Sequence, residues 1–164
     1  MLNGRRIVYK NVGEGNYKKL EDKIIKLLKT SQKRIFDKEP KDSRFPTIYL
    51  GKRKGGKVLN LKNILNFGIG YKNGKWVQKD ECLQSFGEQC SLTILTKGNI
   101  INFVAESLNK KPIKAKIIID NKFAKKLTIN KPQLYSIMKF KKDEQHKLTL
   151  ITKPNLAVYS FSFQ

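Results

Sequence analysis

Leu92-Thr93-Ile94-Leu95-Thr96-Lys97-Gly98-Asn99-Ile100-Ile101-Asn102-Phe103-Val104-Ala105 decides how the chain is read. Leu92, Ile94 and Thr96 recur at every second position, and so do Ile101, Phe103 and Ala105. Period two marks a strand with one buried face, because successive side chains leave the pleat on opposite sides. Gly98-Asn99 stands between the two runs and reads as a turn, so the stretch predicts two strands.

The pattern continues on both sides. Asn73-Gly74 is a turn signal, and Trp76 starts a strand. Ala115, Ile117 and Ile119 alternate, and Asp120-Asn121 closes their strand. Residues 134–140 and 147–151 read as two further strands, joined by the polar Lys141-Lys142-Asp143-Glu144. The final segment sets Ala157, Tyr159, Phe161 and Phe163 on one face, with Val158, Ser160 and Ser162 on the other. About six or seven short strands at roughly ten-residue spacing predict a mainly β fold, a jelly-roll-like β-sandwich.

A different period precedes it. Ile7-Val8-Tyr9 reads as a short strand, and Gly13-Glu14-Gly15-Asn16 as a turn whose Asn16 can cap a helix. From Tyr17 to about Arg34 an amphipathic helix is predicted. Tyr17, Leu20, Ile24, Leu27, Leu28 and Ser31 share a face, Ile25 lies beside it, and Lys18, Lys19, Lys23, Lys26 and Lys29 fill the other side. One strand and one helix bury too little apolar surface to fold alone. Their apolar face needs cover from the rest of the chain or from another chain. Residues 35–47, with Pro40 and Pro46, read as an irregular connector. Phe45-Pro46 and Ile48-Tyr49-Leu50 are expected to tuck into the following domain, and Lys52-Arg53-Lys54-Gly55-Gly56-Lys57 to form an exposed loop. The expected division is a strand–helix tail over 1–34, a connector over 35–57 and the sandwich over 58–164.

The formal charge of +22 invites a nucleic-acid reading. Two counts weigh against it. Lysine outnumbers arginine 30 to 5 alongside 17 isoleucines and 13 asparagines, a composition that an AT-rich genome produces without selection for a ligand. The excess is also spread evenly, with +11 over residues 1–60 and +11 over residues 61–164. Weak, salt-sensitive adhesion to polyanions is expected, and no specific nucleic-acid role. No apolar run reaches the ~18 residues that span a bilayer, so no membrane insertion by this chain is expected. Residues 1–10 lack the apolar core of an export signal.

Chemistry is sparse. His146 is the only histidine and falls in or beside a strand, where a structural hydrogen bond is the plainer role. Neither metal-ligand spacing nor a phosphate-cradling motif is present, so no cofactor is expected, and Gly13-Glu14-Gly15 and Gly68-Ile69-Gly70 are isolated Gly-x-Gly pairs. Cys82 and Cys90 are not a Cys-x-x-Cys pair. If Ser85-Phe86-Gly87 bends a hairpin, the two sulfurs face each other and a disulfide worth roughly 2–3 kcal/mol can form. Two buried free thiols are the alternative. Trp76, Tyr71, Tyr49 and Tyr135 are candidate platforms for stacking a sugar, with core packing as the alternative role of each.

Several short motifs, taken in order, resemble one known arrangement. Gly4-Arg5-Arg6-Ile7-Val8-Tyr9, then Gly13-Glu14-Gly15-Asn16-Tyr17 and a helix, look like the last strand and helix of a thioredoxin-like domain. Tyr49-Leu50-Gly51, Gln133-Leu134-Tyr135, His146-Lys147-Leu148-Thr149-Leu150 and Ala157-Val158-Tyr159-Ser160-Phe161-Ser162-Phe163 resemble the C-terminal module of DipZ-type thioredoxin-like proteins. In that family an extracytoplasmic thioredoxin domain precedes a jelly roll similar to carbohydrate-binding modules. The family's Cys-x-x-Cys and cis-proline would lie upstream of the segment present here, and neither Cys82 nor Cys90 matches them. The resemblance therefore implies an accessory or binding module without catalytic residues. Its expected partners are a thioredoxin-like domain, a redox partner protein or a glycan. Its expected location is extracytoplasmic or periplasmic, or cytoplasmic if the chain acts alone. An autonomous carbohydrate-binding module and a weak electrostatic nucleic-acid binder are the alternatives.

Overall fold

The computed structural model describes residues 2–3, 6–7, 17–29, 45–62 and 65–164. The chain divides into two compact units, Met1–Asp42 and Ser43–Gln164. In the first, β1 (Leu2–Asn3) and β2 (Arg6–Ile7) pair antiparallel. Helix α1 covers Tyr17–Leu28, and Lys29 follows it with a left-handed φ of 47°. A residue in that conformation commonly closes a helix. Lys19, Lys23, Lys26 and Lys29 are exposed, as the amphipathic pattern requires. The expected residues 8–9 of the strand, the turn at 13–16 with its Asn16 cap, and the helix beyond residue 29 lie outside the described residues.

The second unit is the mainly β body that the alternation predicts, a jelly-roll-like sandwich built from one connected ten-stranded sheet. Its strands are β3 (Ile48–Tyr49), β4 (Lys57–Asn60), β5 (Ile69–Asn73), β6 (Trp76–Gln78), β7 (Leu83–Ser85), β8 (Cys90–Ser107), β9 (Ile113–Ile119), β10 (Lys122–Ile129), β11 (Gln133–Thr152) and β12 (Leu156–Phe163). The order β10-β9-β11-β8-β12-β7-β6 forms its spine. The first half of β8 has β5 beside it, through Tyr71↔Thr93, and β5 carries β4 in parallel. The second half of β8 has β12 instead, from Leu156↔Ser107 to Phe163↔Ile101. The inner faces of these strands, β8 and β11 along much of their length, build one apolar cluster.

The two long strands correct the sequence reading. Gly98-Asn99 does not reverse the chain, and Lys141-Lys142-Asp143-Glu144 does not join two strands. Each is a bulge within a single strand. Lys139 pairs with Ile100 and Glu144 with Gly98, so residues 140–143 stand opposite Asn99 alone. Such an insertion flips which side chains face inward. Cys90, Leu92, Ile94 and Thr96 are buried before the bulge, and Ile101, Phe103, Ala105 and Ser107 after it. On β11 the buried set changes from Tyr135 and Ile137 to Leu148, Leu150 and Thr152. Gly98 has φ +132°, where a side chain would be strained. The amides of Asn99 and Ile100 donate to the Gln164 carbonyl at 2.7 and 2.9 Å, which pins the bulge.

Strand β12 behaves in the same way. Its register shifts between Val158 and Ser160, so Leu156, Val158, Phe161 and Phe163 all join the core cluster while Tyr159 faces elsewhere. The uninterrupted alternation expected there is therefore broken. At the centre Phe103 stacks on Phe161, with ring centroids 5.6 Å apart, and tilts against Tyr135 at 5.7 Å. Such aromatic pairs add about 0.5–1.5 kcal/mol each beyond the area they bury.

The connector joins the same body. Ile48 and Leu50 are buried, β3 pairs with β12 through Phe161↔Ile48, and residues 52–54 form an exposed 3-10 turn. Strand β10, absent from the sequence reading, follows Asp120 and Asn121, whose φ values of 50° and 65° suit a two-residue hairpin turn.

Candidate functional site

A groove of about 560 Å³ lies beside two turns of the body. Two turns frame it: residues 108–112 between β8 and β9, and residues 153–155 between β11 and β12. Buried serines fix both turns from below. The Ser107 hydroxyl lies 2.6 Å from the Lys111 carbonyl and 2.8 Å from Asn109 Oδ1, which also accepts the Lys111 amide at 3.1 Å. The Ser85 hydroxyl donates to the Lys153 carbonyl at 2.8 Å and accepts the Leu156 amide at 3.0 Å. The turns are tied to each other by the Leu108 amide on the Asn155 carbonyl, 2.9 Å.

Five lysines converge on this groove: Lys111, Lys114, Lys116, Lys126 and Lys153. On β9 the odd positions Ile113, Ala115, Ile117 and Ile119 are buried, so Lys114 and Lys116 face outward. Lys126 of β10 stands directly opposite Lys116 in the ladder. Among the described residues, no carboxylate and no aromatic ring lines the groove. Pro112, Pro154 and Ile113 supply its apolar walls.

The sequence candidates lie elsewhere. Trp76 is buried, and its indole N–H donates to the carbonyls of Asn73 and Ser91 at 3.1 and 3.0 Å. Tyr71 is buried, with its hydroxyl accepting the Asn66 amide at 2.9 Å. The buried Tyr135 accepts the Asn130 amide and donates to the Lys131 carbonyl. These three rings are core and ladder elements, so the stacking role does not fit them. Only Tyr49 is exposed, at 42%, and Lys54 Nζ sits 5.9 Å from its ring centroid.

The expected bridge between Cys82 and Cys90 is not formed, and both are buried free thiols. The reason is pairing. Strand β7 lies between β6 and β12 rather than against β8, so the two cysteines are not cross-strand neighbours. Burial pushes the Cys82 thiol up, against the smaller opposing effect of the Gln84 amide that donates to its sulfur at 3.6 Å. The Cys90 thiol faces the carbonyls of Lys75 and Gly87 at 3.3 and 3.5 Å.

His146 forms a local corner. Its Nδ1 is 2.7 Å from Asp120 Oδ2, its ring stacks on Phe140 at 3.8 Å, and its Nε2 is buried without a hydrogen-bond partner among the described residues. Asp120 Oδ1 accepts the Lys147 amide at 2.8 Å. Burial pushes the Asp120 carboxyl up, but the bonds from His146 and Lys147 outweigh it and hold the carboxyl below its usual range. On the outer side of β12, the Tyr159 hydroxyl donates to Glu106, and burial together with that carboxylate keeps the phenol protonated well above its ordinary range. Among the described residues no group of three or more His, Cys, Asp or Glu side chains is placed to hold a metal. No described helix is long and apolar enough to cross a membrane.

The lysine groove was not among the sequence candidates. The signal was present: residues 109–128 contain seven lysines and one acidic residue, Asp120. Comparing charge over two long segments averages this cluster away.

Comparison with known proteins supplies the wider setting. A search of curated proteins finds no match. Among solved structures, a family two carbohydrate esterase from Cellvibrio japonicus is similar over 57% of this chain and 30% of its own, at 17% identity and a TM-score of 0.50. The family two carbohydrate esterase from Clostridium thermocellum, in complex with cellohexaose, is similar over 58% of this chain and 31% of its own, at 12% identity and a TM-score of 0.52. At these identities the likeness concerns the fold, and the chain spans under a third of either protein's length. The model of the thioredoxin-like C-terminal domain family matches residues 71–163, from β5 to the end of β12 and more than half of the sequence. The chain therefore belongs to the family of thioredoxin-like C-terminal domains.

Proposed function

We propose that this chain is a non-catalytic binding module of a DipZ-type thioredoxin-like thiol–disulfide exchange protein, acting outside the cytoplasm in recognition of a partner or glycan. The observation that carries the reading is the family match over the strand body, in a chain whose two cysteines are unsuited to exchange. Exchange needs an accessible thiolate that attacks a disulfide sulfur. Cys82 is buried and its thiol is held protonated by that burial, while Cys90 is buried against two carbonyls. A binding role asks for a preorganised concave surface instead, and the groove framed by two hydrogen-bonded turns meets that need.

The test pairs two measurements on the full chain. In an insulin-reduction assay with dithiothreitol, the expected rate equals that of the reductant alone. On a glycan array and against an immobilised thioredoxin-like domain at 0.15 M salt, saturable retention on at least one is expected. Exchange activity that disappears in Cys82→Ala would overturn the reading, as would retention on neither surface.

A further inference from the structure

We infer that the lysine groove is a binding site for an acidic glycan, one whose sugars carry carboxylate or phosphate groups. The inference rests on the reading of the chain as a binding module and adds the chemical class of its ligand.

Three observations carry it. First, the charges are unanswered. None of the five lysine ammonium groups has a hydrogen-bond or ion-pair partner among the described residues, and no carboxylate lines the groove. Second, the arrangement is unfavourable without a ligand. Lys116 and Lys126 are directly cross-strand, and like charges so placed destabilise a sheet. An oxyanion between them would reverse the sign of that interaction. Third, the site is preformed, since the buried hydroxyls of Ser107 and Ser85 and the Leu108–Asn155 bond hold its framing turns. A ligand entering it would cost little loop ordering.

The lining also selects among anions. Single-stranded nucleic acids bind through aromatic platforms as well as charge, and none of the described residues lining the groove is aromatic. Neutral glycans depend on the same stacking. A concave volume of about 560 Å³ suits a compact ligand better than a flat membrane surface. The proline and lysine-stem walls offer apolar contact to sugar C–H groups, while the ammonium groups take the acid. Every bond recorded for the Asn109 side chain uses its oxygen, leaving the exposed amide N–H groups for ring hydroxyls.

The test titrates the full chain at 0.15 M salt with trigalacturonate, a phosphorylated trisaccharide, cellotriose and a short oligothymidylate. One or both acidic sugars are expected to bind, more tightly than cellotriose or oligothymidylate. Lys116→Gln/Lys126→Gln should weaken that binding about tenfold, as expected for losing two partly exposed ion pairs. Lys141→Gln/Lys142→Gln removes the same charge outside the groove and should change it less than about twofold. Amide chemical-shift changes in the wild-type chain should centre on residues 109–116 and 153–155, a readout independent of any variant. Equal weakening by the two double variants would overturn the inference, because adhesion would then follow net charge. Tighter binding of cellotriose or oligothymidylate would overturn it too. In those cases, or if only a thioredoxin-like protein binds, the module reading survives. Retention of no probe and no partner would remove both.

Discussion

The two faces of β9 (Ile113–Ile119) divide the molecule's physics between them. Its inward face packs into the core: Ala115 and Ile117 have no exposed surface, Ile119 keeps little, and Ile113, at the end of the strand, also reaches the groove wall. Its outward face carries Lys114 and Lys116, exposed and without ionic partners among the described residues. Alternate residues of one seven-residue strand therefore serve opposite ends. The inward set gains free energy by leaving water. The outward set holds charges close together at some cost to the fold. Like charge gathered on one face at some cost to stability is the contrast on which the acidic-ligand inference rests.

The sharpest way to break the comparison is on the inward face. Ile117→Ala removes buried methyl and methylene groups from a fully covered site. It should cost about 3 kcal/mol of unfolding free energy, within the range of such truncations. Urea denaturation would show a lower midpoint with an unchanged slope. A loss below about 1 kcal/mol would mean that the two layers do not close over this position. Anion binding in the surviving folded population should stay as in the parent chain, since the groove lies on the other face.

At the end of β9 stands a charge that does have partners. Asp120 accepts bonds from His146 and the Lys147 amide, and these hold its carboxyl below its ordinary range despite burial. A group with a depressed folded pKa adds stability above its unfolded value, near pH 4, and loses it as pH falls through the folded value. Asp120→Asn should therefore lower stability at pH 7, by about 1 kcal/mol or less because the carboxylate is half exposed and screened. Thermal melts of the two proteins should converge as pH falls below about 3, where the carboxylate is protonated in both states of the parent. A difference that persists undiminished at low pH would show that the turn, and not the charge, is what Asp120 supplies.

How much of this was legible in the sequence follows from the same contrast. Period two announced the strands, so the inward residues Leu92, Ile94, Ile101, Phe103, Ala115 and Ile117 could be named directly. The bulges could not. Gly98-Asn99 carries the residue types of a turn, and only the register, in which the partner strand has three extra residues, shows that the chain continues onward. Tyr159 hid the bulge in β12, because an aromatic residue in an alternating run looks like core. Strand β10 was missed because Lys122, Lys125 and Lys126 blur its alternation, as edge strands often do. The groove was legible only in part: residues 109–128 are lysine-rich, but its five lysines come from two turns and two strands, and only the fold makes them neighbours.

The smallest effect is also the one that most directly separates the two faces. Replacing core residues weakens a fold, whereas Lys116→Gln/Lys126→Gln should leave it unchanged or raise its stability by about 0.2–1 kcal/mol, the scale of a cross-strand pair. The sign follows from geometry, since the two ammonium groups oppose each other in the ladder with no carboxylate in the groove to offset them. The gain should be largest at low salt and shrink toward 1 M, where the screening length falls to about 3 Å. Melting temperatures across a salt series would read it. A destabilisation independent of salt would mean that the lysine stems are packing the sheet surface, and the outward face of β9 would then be part of the scaffold after all.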